Sequence, residues 1–208
     1  METEFENLKQ TIINFAKQSN ACKDEYSRAL LSNNAPEICE VIKRNWMWCY
    51  NSGLIKAIAK DFLKVLNKND IFYNQNTDMG FVFVDSYVEC IGGCTTAYIA
   101  GDATVKDVRD SATVKGVRDS ATVVNVRDSA TIKFVQDSAK VVNVMDSATV
   151  EYVCDSATVV NVWNFATVLN VWDSATVENV RDFAKVVNVR DFTKVVNVMD
   201  SATVLNRY

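Results

Sequence analysis

The side chains able to do chemistry in this sequence are six cysteines and a periodic series of aspartates. The cysteines are Cys22, Cys39, Cys49, Cys90, Cys94 and Cys154. None forms a Cys-x-x-Cys pair; Cys90 and Cys94 are the closest two. The chain has no histidine, which excludes Ser-His-Asp and Cys-His hydrolases and imidazole-ligated zinc. A zinc site would have to be all-thiolate, and the spacing is poor for one. The cysteines read instead as small buried hydrophobes in a reducing cytosol. No paired carboxylates, nucleophile–base pair or phosphate loop emerges, so the sequence points away from an enzyme and no cofactor or metal is expected.

The aspartates belong to a tandem array that occupies residues 101–208 as twelve nine-residue repeats without slippage. It opens Gly101-Asp-Ala-Thr-Val-Lys-Asp-Val-Arg109, Asp110-Ser-Ala-Thr-Val-Lys-Gly-Val-Arg118 and closes on Asp200-Ser-Ala-Thr-Val-Leu-Asn-Arg-Tyr208. Two degenerate eight-residue units, 85–92 and 93–100, precede it. Numbered D1-S2-A3-T4-V5-x6-N7-V8-x9, position 3 is Ala in eleven repeats, position 5 is always Val or Ile, and position 8 is Val in eleven. A short strand Ala-Thr-Val would turn positions 3 and 5 inward and Thr outward, with position 8 returning to the core. The frequent Asn at position 7 suits a turn that enters the left-handed region. Such a unit cannot bury its face alone and must stack on copies of itself. The small inward set predicts a narrow parallel β-solenoid with about two repeats per coil.

The first 70 residues carry helical spacing instead. Thr3 and Glu6 have the form of a capping box ahead of Phe5, Leu8, Ile12, Phe15 and Ala16. A second segment runs from about Ala21 to Leu31. Asn34 is a cap ahead of Pro36 and Glu37, followed by the stripe Ile38, Val41, Ile42, Trp46 and Cys49. Ser52-Gly53 ends that helix, and Leu54, Ile58, Phe62, Val65 and Leu66 form the fourth. Trp46 and Trp48 cannot share a helix face, so one belongs in the core and the other faces a neighbour. The predicted fold class is therefore α+β: a small helical bundle over 1–79, then a β-solenoid over 80–208, with degenerate units at 80–100 and regular repeats at 101–208. The helical domain is expected to cap the first solenoid end, and Arg207 with Tyr208, or a second subunit, to cover the last.

Several solenoid families share parts of this pattern. Gly101-Asp-Ala-Thr-Val-Lys106 looks like the unit of left-handed hexapeptide-repeat helices with three residues inserted. The acyltransferases of that class act through a histidine that this chain lacks. Two nonapeptides per coil are similar to calcium-binding β-rolls, yet no glycine follows Gly116 to build their ligating turn. The Thr series resembles ice-binding solenoids but is interrupted by Lys140, Lys185 and Lys194. Over most of its length the chain resembles uncharacterised proteins of gut bacteria and their phages. The residues that carry this are Ala21-Cys22-Lys-Asp-Glu-Tyr26, Asn45-Trp46-Met-Trp48-Cys49 and the (G/D)-(N/D/S)-A-T-V array. That resemblance implies a cytosolic, mobile-element setting and no known activity.

Departures from the repeat mark the candidate binding residues. At position 9, Arg gives way in mid-array to Met145, Cys154, Trp163 and Trp172, and the series ends on Tyr208. At position 2, Ser becomes Phe165, Phe183 and Phe192. Positions 9 and 2 flank a solvent-facing corner, so these residues predict an exposed aromatic patch for a dimer mate or another protein; packing ladders are the structural alternative. Asp128, Asp137, Asp146, Glu151 and Asp155 form an adjoining acidic band, either capping turns through backbone N–H groups or mimicking phosphates.

The formal net charge is −4, so direct nucleic-acid binding is not expected. No apolar stretch approaches the length of a membrane span, and the Met1–Glu6 segment is acidic rather than a basic signal. The expectation is a cytoplasmic, non-enzymatic interaction protein, dimeric and bound to a protein partner, in its most concrete form a phage inhibitor of a host defence complex. The alternatives are an acidic nucleic-acid mimic and a structural or self-assembling scaffold.

Overall fold

The computed structural model describes residues 2–19 and 21–208, without the side chains of Glu2 and Thr3. The chain forms two compact units, Met1–Tyr73 and Asn74–Tyr208. No described helix is long and apolar enough to cross a membrane.

Among its described residues the first unit holds five helices where the stripes suggested four: α1 (Glu2–Gln18), α2 (Lys23–Leu31), α3 (Ala35–Arg44), α4 (Trp46–Asn51) and α5 (Leu54–Lys68), then a short strand β1 (Ile71–Tyr73). The extra break is at Asn45, whose φ of −105° and ψ of 28° interrupt the helix. Its amide donates to the Val41 carbonyl at 2.8 Å and to the Glu25 carboxylate at 2.9 Å. This is the competition between a short polar side chain and the helical ladder. Asn34 caps α3 as expected: its Oδ1 accepts the Glu37 N–H at 3.0 Å, and Glu37 accepts the Asn33 N–H at 2.8 Å in return. Gly53, at φ +81°, separates α4 from α5. The apolar stripes meet in a core of Leu8, Ile12, Ile38, Ile42, Leu54, Ile58 and Leu66. Trp46 and Trp48 are both half-buried, so neither is the core anchor that their spacing predicted. The Thr3–Glu6 capping box rests on Thr3, whose side chain lies outside the described residues.

The second unit is a parallel β-solenoid of about seven turns. It begins with β2 (Phe81–Val84), β3 (Tyr87–Ile91) and β4 (Thr96–Ile99). One strand per repeat follows: β5 (Thr104–Val108), β6 (Thr113–Val117), β7 (Thr122–Val126), β8 (Thr131–Val135), β9 (Lys140–Val144) and β10 (Thr149–Val153). Then come β11 (Thr158–Val162), β12 (Thr167–Val171), β13 (Thr176–Val180), β14 (Lys185–Val189), β15 (Lys194–Val198) and the two-residue β16 (Thr203–Val204). Even-numbered strands form one sheet from β2 to β16, and odd-numbered strands form the other from β3 to β15. Thr122 lies opposite Lys140, and Thr149 opposite Thr167, which makes two repeats per coil. The degenerate units make shorter coils, with Phe81 opposite Thr96 and Tyr87 opposite Thr104.

Each array strand except β16 spans positions 4 to 8, longer than the Ala-Thr-Val strand read from the repeat. From Ala103 to Val186, positions 3, 5 and 8 are at most 1% exposed. Positions 6 and 7 mostly stay half-buried at the surface, so simple alternation breaks once inside every strand. Position 7 is therefore not the turn. Asn125, Asn143, Asn161, Asn179 and Asn197 stack along the odd sheet, each amide donating to the side-chain oxygen one coil below at 2.9–3.1 Å, and the ladder ends on Asp107. The left-handed residue is position 1, with φ of 56–61° at every Asp from Asp110 to Asp200 and at Asn164; at position 7 only Asn206 of the last repeat, at φ 49°, enters the region. Asn and Asp are the non-glycine residues that tolerate this region best.

The single glycine inside an array strand has a steric cause. A Cβ on Gly116 would stand 3.1 Å from Cε2 of Tyr98, whose ring is buried over that slot. Restoring the consensus as Gly116→Asn is expected to cost about 1–3 kcal/mol through overpacking. Val150→Ala, in the sealed interior, is expected to cost about 2–3 kcal/mol from lost burial plus a cavity. Urea unfolding read by circular dichroism checks both, and an unchanged midpoint for either contradicts the packing described.

Candidate interaction surface

Every corner of the solenoid is built from positions 9, 1, 2 and 3. The position-3 N–H donates to the position-9 carbonyl, as from Ala148 to Met145 at 3.1 Å, which closes a four-residue turn around the left-handed position 1. The carboxylate at position 1 then reaches one coil down. Asp128, Asp137, Asp146, Asp155 and Asp173 accept the backbone N–H of Asp110, Asp119, Asp128, Asp137 and Asp155 at 3.1–3.3 Å. An N–H left unpaired by the left-handed turn thus gains a charge-assisted bond, and successive coils are locked in register. Arg118 Nε approaches the Asp137 carboxylate at 3.3 Å, and Arg127 approaches Asp107 at 3.5 Å and Asp128 at 3.9 Å, easing like-charge crowding along the columns.

Because a coil holds two repeats, its two corners lie on opposite edges, and the parity of a repeat decides which edge its residues join. The residues predicted to share one aromatic patch therefore separate. Met145, Trp163, Phe165 and Phe183 lie on a first edge, where odd-sheet strands cross to the even sheet. Trp172, Phe192 and Tyr208 lie on the second edge. On the first, Phe165 and Phe183 stack with centroids 5.5 Å apart and planes 8° from parallel, and the Arg181 guanidinium lies 4.1 Å over the Trp163 ring. Phe165 and Phe183 remain 67% and 57% exposed. On the second edge, the Arg190 guanidinium lies between Trp172 at 5.9 Å and Tyr208 at 5.2 Å, and Phe192 is 86% exposed. The indole N–H groups of Trp163 and Trp172 are enclosed without an acceptor, so both rings contribute through their faces.

Two further aromatic residues, at position 7, continue the second edge onto the even sheet. Phe134 stacks on Tyr152 at 5.0 Å, and Tyr152 meets Trp172 edge-on at 5.1 Å. Phe134 through Tyr208 thus form one column of rings and guanidinium. The signal in the sequence was the loss of Asn at position 7 in adjacent even repeats, visible only once even repeats are known to stack on even ones. The acidic band divides likewise. Asp128 and Asp146 are on the first edge, Asp137 and Asp155 on the second, and Glu151 is on the even sheet, 3.4 Å from Lys133 Nζ.

Burial pushes the thiols of Cys39 and Cys49 up to about 12. Burial, then the carboxylates of Asp155, Asp173 and Asp137, pushes Cys154 up to about 11. Cys49 also lines a 110 Å³ apolar cavity in the first unit with Ile12, Ala16, Ala29, Ile42 and Trp48. Among the described residues no three His, Cys, Asp or Glu side chains converge as a metal site. Set beside protein-family models, curated proteins and solved structures, the chain matches none of them.

Three predictions follow from this chemistry. Asp137→Ala removes both the left-handed preference and the acceptor for Asp119, at a cost of about 1–2 kcal/mol. Asp137→Asn keeps both and is expected to lose less than half as much in thermal or urea unfolding. For Cys39 and Cys49, the native thiol stays protonated while the unfolded one ionises near 9.0. Their contribution is thus complete below pH 9 and is lost as pH rises from 9 towards 12. The melting temperature should fall steadily over that window, and less steeply in a Cys39→Ala/Cys49→Ala variant. A maleimide should label exposed Cys22 and Cys94 in the native protein, and Cys39 and Cys49 only after denaturation.

Proposed function

We propose that this chain is a non-enzymatic, cytoplasmic interaction protein that acts as a homodimer and grips a protein partner. Following the resemblance to phage and gut-bacterial proteins, we propose that the partner is a host defence complex, inhibited by being bound. The observation that carries the reading is the column Phe134–Tyr152–Trp172–Arg190–Tyr208, with Phe192 beside it. Aromatic and arginine side chains dominate the energy of protein interfaces. Here they are held by one another and by a register-locked backbone, so little freedom remains to be lost on binding. The acidic-mimic alternative finds less support. Its carboxylates are spread over two edges and a sheet face, and Asp128, Asp137, Asp146 and Asp155 are engaged with backbone N–H groups.

Affinity capture with the tagged full chain from host lysate, read by mass spectrometry, tests this. Trp172→Arg/Phe192→Ser returns the second edge to the repeat consensus and should leave folding intact. The expected outcome is a protein set retained by the wild type and lost by that variant. Identical sets for both would remove the second edge as the binding surface.

A further inference from the structure

The first edge carries a symmetry that the repeat itself does not require. Over the last four corners of this edge, beyond those at Arg109 and Arg127, the position-9 column reads Met145, Trp163, Arg181, Met199; position 1 reads Asp146, Asn164, Asp182, Asp200; position 2 reads Ser147, Phe165, Phe183, Ser201. Asn164 is the only position-1 residue from Asp110 to Asp200 that is not aspartate. One carboxylate has therefore been removed from the column beside Trp163 and Phe165, where the aromatic side chains are concentrated.

We propose that this edge is where two copies of the chain meet, edge to edge with antiparallel solenoid axes, about a two-fold axis passing between Asn164 and Asp182. The inference rests on the homodimer reading above and supplies its surface and its symmetry. Rotation about an axis that lies in the contact plane, at right angles to the solenoid axis, exchanges the two central coils and keeps position 9 opposite position 9 and position 2 opposite position 2. Trp163 then faces the partner's Arg181, Phe165 faces the partner's Phe183, and Asn164 faces the partner's Asp182. These are a cation over a ring, an aromatic pair and an amide that donates to Asp146 of its own chain at 3.1 Å and turns its second N–H to the partner's carboxylate. Each occurs twice by symmetry, and none is a like-charge contact. A parallel two-fold would instead set each coil against itself and place Asp182 against the partner's Asp182.

The chemistry of the patch agrees with this occupant. Phenylalanine, tryptophan, methionine and arginine are the residues enriched in an interface core, and the repeat's carboxylate is missing at Asn164. The rings are already ordered within one chain, Phe165 on Phe183 and Arg181 over Trp163, while both phenylalanines stay largely exposed. The one like-charge pair, Asp146 with the partner's Asp200, falls at the rim. Asp146 accepts the Asp128 N–H and Asp200 accepts the Asp182 N–H, each at 3.3 Å. The edge is narrow compared with a standard interface, so the dimer is of micromolar strength and depends on concentration.

Sedimentation equilibrium of the full chain from about 1 to 200 µM tests the proposal, a range that brackets a micromolar dissociation constant. The wild type is expected to pass reversibly from monomer to dimer within it. Phe165→Ser/Phe183→Ser and Asn164→Asp both restore the repeat consensus, so both should melt as the wild type does. The first is expected to be monomeric throughout. The second should weaken dimerisation about tenfold by setting a carboxylate against the partner's Asp182. The exchange Asn164→Asp/Asp182→Asn should recover wild-type affinity. A wild type that stays monomeric overturns the homodimer reading and this interface with it. A wild-type dimer that Phe165→Ser/Phe183→Ser leaves unchanged overturns the interface alone. An Asp182→Asn variant that dimerises more tightly than the wild type overturns the antiparallel arrangement.

Discussion

The second unit depends on a corner that the chain must turn twice in every coil. A nine-residue unit with an Ala-Val-Val inner face has almost no core of its own, and gains one only when the next coil lands directly above it. Position 1 makes that landing possible. Its left-handed φ lets the chain turn within the four residues from position 9 to position 3, and its carboxylate takes the N–H of the equivalent residue one coil below. The same side chain thus shapes the turn and sets the register. Once it does, the Val columns close the interior and the Asn ladder ties the outer face of the odd sheet.

A frame fixed this way leaves the exposed positions free to vary. Positions 3, 5 and 8 hardly change because the interior is sealed and narrow, whereas positions 2, 7 and 9 carry the aromatic and methionine substitutions. Identical offsets bring such substitutions into columns one coil apart, close enough for rings to stack. This is how Phe165 finds Phe183 and how Phe134 finds Tyr152. Two such columns on opposite edges give one small domain two separate aromatic faces.

Much of the fold was legible in the residues. The change from helical spacing to a nine-residue period marks the change of architecture, and the Asn34–Pro36–Glu37 cap is local chemistry that needs no tertiary partner. The inward set and the two-repeat coil follow from side-chain volume. The break at Asn45 was not legible, because its amide is drawn out of the helix partly by Glu25, which comes from a different helix. Nor was the role of Asn at position 7. Asparagine suits left-handed turns and side-chain ladders equally, and only the neighbouring coil at the same register decides for the ladder.

By itself the sequence determined the repeat, the residues that must point inward and the few that break the pattern, since these depend on periodicity and on the chemistry of each side chain. Tertiary structure alone decided which of the pattern-breaking residues meet. Trp163 and Trp172 stand one repeat apart in the chain, yet the odd and even repeats of a coil turn opposite corners. The two tryptophans therefore occupy different edges, while Tyr152, two coil positions and a sheet face away from any turn, becomes a neighbour of Trp172. Proximity in a solenoid is counted in coils, and the coil length is a property of the packed interior rather than of any one repeat.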